Sequence, residues 1–459
     1  MRNLFLTLAL FSAVNAQAAI ELKTSGPKTN FIYEQDSKDL AATVELVFRT
    51  GSISDPKGKE GITELSFQSL FRGTKDKDRK EFYAALERLG ASISADTGTN
   101  RSIVTLTVVS ENLAPALELL AEAVLSPGLK DDEIHSLAEE KLAQLQQELA
   151  SNRSVMKRIF RQAVYQGTPL AFPADGTIEG VKAVHGDDVR AFLSQHVKSE
   201  NVIFAIASNR PEKEVRRMIT KLFAALPEGE APAAPKFDLS RKKGRILYVA
   251  ERKGSSTTEL AIGGLGIKAD RPDRLTLEAG EFVFGEGGMG ARLFKTLRSA
   301  NGWTYGASSG FDLLDLPRRF GGAYMFYAFP QAQHTEKLTL KALEMYGDYV
   351  KKGVTAEELD FTKKSMSNSY AFKFATSRSR LNSRLYQVLD NGPLLSVNEY
   401  RAQMTALTPF AILKALQKAH EPENLAIVTV GDPEQIEGLK KSIPNLKAVV
   451  KITDPMKPL

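Results

Sequence analysis

A chain of 459 residues is too long for one hydrophobic core, and 42% hydrophobic with 25% charged residues is an ordinary globular composition. The net charge of +6 arises from 61 Lys and Arg interleaved with 55 Asp and Glu, which argues against a nucleic-acid tail or an acidic disordered segment. The absence of cysteine excludes a disulfide framework, a thiol nucleophile and a cysteine metal knuckle.

The chain opens on "MRNLFLTLALFSAVNAQA", with Arg2, an apolar run from Leu4 to Val14, then Ala16-Gln17-Ala18. That order predicts a secretory signal peptide over 1–18, cleaved near Ala18. The apolar run is shorter than the roughly 20 residues of a membrane-spanning helix. A periplasmic or secreted protein with no membrane span in the mature chain is the expectation. Val44, Leu46 and Phe48 alternate with polar neighbours and predict a half-buried strand. "GITELSFQSLFRGT" (61–74) then carries an apolar stripe at helical spacing after its leading glycine. Val104, Leu106 and Val108 predict a second half-buried strand, and Leu113, Leu117, Leu120 and Val124 a helix stopped by "SPG" at 126–128. "EEKLAQLQQELASNR" (139–153) continues as a helix whose Glu139 and Glu140 read as a solvated face.

From here the chain repeats itself at an offset of about 220 residues. "LGASISADTGTNRSIVTLTVV" (89–109) matches "TYGASSGFDLLDLPRRFGGAYMFYAF" (304–329), and "NRSVMKRIFRQAVYQG" (152–167) matches "SRSRLNSRLYQVLDNG" (377–392). "SENVIFAIASN" (199–209) matches "PENLAIVTVGD" (422–432), each a turn feeding a strand. The join, "LPEGEAPAAPK" (226–236), is rich in Pro, Ala and Gly and reads as a tether. The predicted divisions are 19–225, a linker over 226–245, and 246–459. In the second half "GEGGMG" (285–290) predicts a tight turn and lacks the Gly-Lys-Ser/Thr ending of a phosphate loop, and Thr355 with Glu358 forms a capping box. No Gly-x-Ser-x-Gly elbow is present, and His135, His185, His196, His334 and His420 include no two at metal-ligand spacing.

These blocks resemble the pitrilysin-type zinc metallopeptidases, the inverted zincins, over essentially the whole length after the leader. The resemblance rests on the duplication, the "G…LFRGT" frame, "GTPLAFPADGTIEGVKAV" (167–184) and "LFKTLRSANGWTYGASSGF" (293–311). Its most specific part is a Gly-rich turn and Arg-Leu-Phe, then an Arg and a Gly-x-x-Tyr. Here these are "GEGGMGARLF", Arg298 and Gly302-Trp303-Thr304-Tyr305. The fold implied is α+β: two duplicated halves, each an antiparallel sheet covered by helices, together forming one half of a clamshell chamber.

Active members use H-x-x-E-H on a helix plus a distal Glu, so that two imidazoles one turn apart hold a zinc whose water the first Glu polarises. On this frame the first His falls on Glu64, the base on Phe67 and the second His on Gln68, and the distal ligand on Gln146. All four positions are changed, so the resemblance implies no metal in this chain and no activity of its own. Some bacterial members divide the labour between two chains. One carries the zinc motif, and the other carries the Arg and Tyr. This chain has the second pattern. The implied role is the non-catalytic subunit of a heterodimeric periplasmic zinc peptidase, with zinc held by an H-x-x-E-H partner of the same family. Arg298 and Tyr305 would act in trans on peptide or unfolded-protein substrates, with no part for nucleic acid. The alternative is a stand-alone peptide-binding or scaffold protein of the same fold with no proteolytic role.

Overall fold

Alternating apolar residues build two sheets in a computed structural model that describes residues 30–240, 243–312, 321–390 and 394–459. The leader expected at 1–18 lies outside the described residues. The first sheet contains β1 (Asn30–Gln35), β2 (Ala41–Phe48), β3 (Ser92–Thr97), β4 (Ser102–Val109) and β5 (Val202–Ser208), in the order β1-β5-β2-β4-β3. The second contains β6 (Arg245–Glu251), β7 (Glu259–Leu265), β8 (Thr304–Asp312), β9 (Ala323–Pro330), β10 (Ala426–Gly431) and β11 (Leu446–Lys451), in the order β11-β6-β10-β7-β9-β8. Neighbours are antiparallel except on one flank of each sheet. There β1 runs parallel to β5, β6 parallel to β10, and β11 parallel to β6. No strand or helix forms over residues 227–240, which join the two sheets.

Five helices hold the two sheets together or carry the candidate site residues: α1 (Ile62–Ser69), α2 (Asp131–Ala150), α3 (Asn152–Tyr165), α4 (Arg274–Glu281) and α5 (Ser377–Asp390). The two strand expectations meet different fates. Val104, Leu106 and Val108 of β4 are buried while Ile103, Thr105 and Thr107 stay half-exposed, the alternation of a one-faced strand. β2 departs from its half-buried expectation, because Thr43, Glu45 and Val47 on its other face are buried too. The cause is a helix from the other half of the chain.

That helix is α5, which packs on β1 and β5 of the first sheet. Leu381 and Leu385 close over Ile32, Val47, Ile203, Ala205 and Ala207. Arg380 donates to Glu34 at 3.2 Å and to Asp36 at 3.0 Å, and Arg384 donates to the Tyr33 carbonyl at 3.1 Å and also pairs with Glu34. A buried carboxylate is thus bracketed by two guanidiniums that reach it from more than three hundred residues away. The return contact is α3, which packs on β7 and β10 of the second sheet. Its Val155, Ile159, Phe160 and Ala163 are buried against Tyr248, Ala261 and Val428. Leu149 and Asn152 add hydrogen bonds to Arg252 at 2.7 Å and Ser255 at 3.2 Å.

So the two helices that match each other in sequence are exchanged between the halves. α5 covers β1, β5 and β2 of the first sheet and α3 covers β7 and β10 of the second, so much of β3 with β4 and of β8 with β9 has no helix on that face. A fully buried Val, Leu, Ile or Phe contributes about 1.5–3 kcal/mol, so each exchanged helix contributes several times the stabilisation of a surface contact. The halves should therefore stay together when the connection is cut. With a protease site placed within 228–236 and cleaved, both fragments should co-elute on size exclusion. Separate elution of folded fragments would show that the tether, not the exchange, holds them.

Candidate functional site

The helix with the altered motif begins at Gly61, whose φ of +109° suits glycine alone. Asp55 holds this start by accepting from the backbone of Gly61 at 2.7 Å and of Thr63 at 3.1 Å. Burial pushes the Asp55 carboxyl up to about 7, against the pull of those hydrogen bonds. The block at 167–184 cradles the same start. A Cβ on Gly176 would lie 2.1 Å from the Glu60 carbonyl oxygen, and one on Gly180 2.5 Å from it. These glycines are required by close approach of backbone to backbone.

One turn apart on α1, Gln68 Nε2 donates to Glu64 Oε1 at 2.9 Å. Lys141 of α2 brings its ammonium to the same oxygen at 2.6 Å. The pair is mostly buried, with side-chain exposures of 7% for Lys141 and 14% for Glu64. Phe67 turns away into the core, its ring 4.9 Å from that of Phe48. Zinc does not fit these residues. An ammonium with three donors occupies the neighbourhood of Glu64, the one carboxylate among the four expected positions, and the expected base position carries a benzyl group turned into the core. Among the described residues no group of three or more His, Asp or Glu is placed to share a metal ion.

Gln146, expected at the distal ligand position, is exposed, and so is Glu139. The residue of α2 that reaches α1 is Lys141. Five residues separate it from Gln146, a rotation of about 140° round the helix, so the two point to different sides. Lys141 carried a signal in the sequence, as a charge on a stripe otherwise formed by Ile134, Leu137, Ala138, Leu142 and Leu145.

Arg298 and Tyr305 lie on the second half and are brought together. After α4 the chain makes two wide, π-type turns, Phe282–Glu286 and Phe294–Ala300, with the glycine turn between them. Gly285 lets the segment press onto β8, since a Cβ there would stand 2.2 Å from Ser309 Oγ. The second wide turn carries Phe294 and Arg298 on one side, the guanidinium 4.8 Å from the Phe294 ring centre. The register of β8 against β9 shifts between Thr304 and Ala307, and this bulge throws Tyr305 outward to 73% exposure. Its ring centre lies 4.3 Å from the Arg298 guanidinium. Arg298 is thus held between two rings and has no carboxylate partner among the described residues. No hydrogen bond or ion pair among them joins this pair to the Glu64–Lys141 cluster.

Residues 30–177 match the insulinase family (peptidase family M16), and residues 183–366 match the peptidase M16 inactive domain. The chain belongs to peptidase family M16. It is 26% identical to the non-peptidase homolog YmxG of Helicobacter pylori, over 83% of this chain and 88% of that protein. A solved peptidase M16 inactive domain from Pseudomonas fluorescens has the same fold, with a TM-score of 0.80 at 24% identity, covering 89% of this chain and 96% of the other. The first half of the periplasmic protease PqqL from Escherichia coli also shares it, with a TM-score of 0.72 at 14% identity, over 91% of this chain and 92% of that one.

This M16 chain also buries an acid behind its Arg298 segment. Glu281, the last residue of α4, is fully enclosed and accepts from Ser309 Oγ at 2.9 Å. His420 Nε2 stands 3.5 Å from its other oxygen, and His420 Nδ1 is 2.8 Å from the Tyr346 hydroxyl. Tyr324 and Tyr349 complete the surroundings. Burial raises the Glu281 carboxyl to about 8, Glu286 adds repulsion, and the bonds from Ser309 and Tyr349 oppose the rise.

Both buried groups bear on stability. Lys141→Ala strands the Glu64 carboxylate and should cost up to about 3–5 kcal/mol in urea unfolding, whereas Glu64→Leu with Lys141→Met should come out close to wild type. Equal losses in both would show that packing, not charge, holds α1 to α2. For Glu281 the folded-state value lies above the ordinary 4.5, so its contribution is full below pH 4.5 and is lost as pH rises to about 8. Glu281→Gln mimics the neutral acid. Its unfolding free energy should fall less than the wild type's across that window; parallel curves would mean the acid ionises freely in place.

Proposed function

We propose that this chain is the non-catalytic subunit of a heterodimeric periplasmic zinc peptidase. The observation that carries the reading is the contrast between the two halves. An ion pair lies on α1 where the resemblance puts the metal ligands, while Arg298 and Tyr305 stand stacked on the second half, Tyr305 exposed. A partner of the same family with an intact H-x-x-E-H helix would hold the zinc, and the leader at 1–18 would deliver this chain to the periplasm. Arg298 offers a rigid fork of donors for substrate carbonyls or a terminal carboxylate. Tyr305 offers a phenol that can donate to the oxygen of a scissile carbonyl as it gains negative charge. Stacking fixes both groups before the substrate arrives, so less of the binding free energy goes into ordering them.

The second reading, a peptide-binding or scaffold protein without a proteolytic role, draws on the description of the Helicobacter relative as a non-peptidase homolog. One experiment separates the two. The chain is co-expressed with an H-x-x-E-H relative from the same genome, and a one-to-one complex is isolated by size exclusion. Tyr305→Phe keeps the ring beneath Arg298 and removes only the donor, so turnover should fall by about 10²–10³ with little change in KM. Arg298→Ala should raise KM, because a group that holds ground-state carbonyls acts before the chemical step. Turnover that survives Tyr305→Phe intact, or chains that never associate, would leave the scaffold reading.

A further inference from the structure

The face of β8 and β9 that α3 leaves open is not a plain polar surface. Along β9, Met325, Tyr327 and Phe329 point to this side and are half-buried. The Tyr327 and Phe329 ring centres lie 5.7 Å apart with their planes 29° from parallel, and Tyr305 follows at 6.4 Å from Phe329. Arg298 closes one end of the row over Tyr305. Arg153, from the exchanged helix α3, closes the other end with its guanidinium 4.8 Å from the Tyr327 ring centre. The Tyr327 hydroxyl donates to Glu259 at 2.7 Å, which fixes the orientation of the middle of the row. Beside the rings, β8 places only Ser308 opposite Tyr327 and Gly310 opposite Met325, so small residues flank the row and give it the form of a shallow groove between bulkier side chains.

We propose that this groove binds an extended peptide segment whose alternate side chains are aromatic or aliphatic and whose ends carry carboxylates. The spacing supports it. In an extended chain, side chains on one face recur every ~6.8 Å, close to the separation of the successive rings. Each ring therefore meets one side chain of the peptide, in offset or edge contact. Charge supports it as well. Neither Arg298 nor Arg153 has a carboxylate partner among the described residues, and a guanidinium stacked on a ring keeps its N–H donors in its own plane, pointing outward. This inference rests on the proposed function for a peptide as the ligand. It adds Tyr327, Phe329 and Arg153, none of which that function uses.

The test needs neither partner nor cleavage. A fluorescein-labelled peptide that alternates phenylalanine with serine between two terminal aspartates is titrated against the full chain, by anisotropy at low salt. Saturable binding is expected. Phe329→Leu and Arg153→Gln should each weaken it by about threefold to tenfold, and circular dichroism confirms that each variant is folded. Arg153 is exposed, so its replacement leaves the core untouched. The same peptide ended in lysines should bind at least about tenfold more weakly. The proposal fails if no saturation is reached at millimolar peptide, if both variants bind like wild type, or if a uridine oligonucleotide of equal length binds more tightly. A failed titration with a Tyr305-dependent complex would sink this site and spare the subunit role; the opposite pair of results would do the reverse.

Discussion

Two helices that fold against the wrong half, α3 and α5, are the constraint on which the rest of the structure depends. A sheet with one helix-covered face is a stable unit, and the first cluster of buried residues around α1 and α2 is such a unit. The exchange adds a second buried face to β2, β5, β7 and β10. It also decides what is left uncovered. Because α5 lies on β1, β5 and β2 and α3 on β7 and β10, much of β3, β4, β8 and β9 has no helix on that side, and Tyr305 with the rings of β9 lies there. The ion cluster of Glu34 with Arg380 and Arg384 makes the arrangement specific, since a buried carboxylate tolerates no sliding away from its guanidiniums.

On α1 an ion pair and a core aromatic sit in a frame that backbone sterics fix. Its frame, with the Gly61 start, the Asp55 cap and the glycines of 176 and 180, is required by sterics and is present. The side chains at 64, 67 and 68 have no such duty. Glu64 and Gln68 lie one turn apart, and Glu64 meets the ammonium of Lys141 between α1 and α2. Phe67 went the other way and joined the core. On the second half the reverse holds. Nothing in the packing demands that Tyr305 be 73% exposed; the bulge at Thr304–Ala307 puts it there.

Much of this was legible in the chain. The capping box of Thr355 and Glu358 forms, the helix over 113–125 stops at Ser126, and the duplicated blocks fall on corresponding strands and helices. Local signals of this kind depend on a few neighbouring residues, which a sequence displays directly. The exchange was not legible, because periodicity tells which side of α3 is apolar and not which sheet it meets. Lys141 was missed for a related reason. Counting along the helix to a ligand position ignores rotation, and the apolar stripe around Ile134 and Leu145 would have identified the inward side. The ring row escaped because β9 is apolar on both sides, with Tyr324 and Phe326 opposite Met325, Tyr327 and Phe329, so alternation gave no contrast.

The exchange also sets an order of events during synthesis. β5 is complete by residue 208, yet its second side has no cover until α5, residues 377–390, has been made. Conversely, α3 leaves the ribosome before any strand of the sheet it belongs to. The first half therefore cannot finish folding as a separate early unit, and the Glu34 carboxylate waits for arginines encoded far downstream. Contacts of such long sequence separation make folding slow and leave apolar strand faces uncovered for longer. The second cover of the first sheet is thus the last part of that half to be secured, after most of the chain has been synthesised.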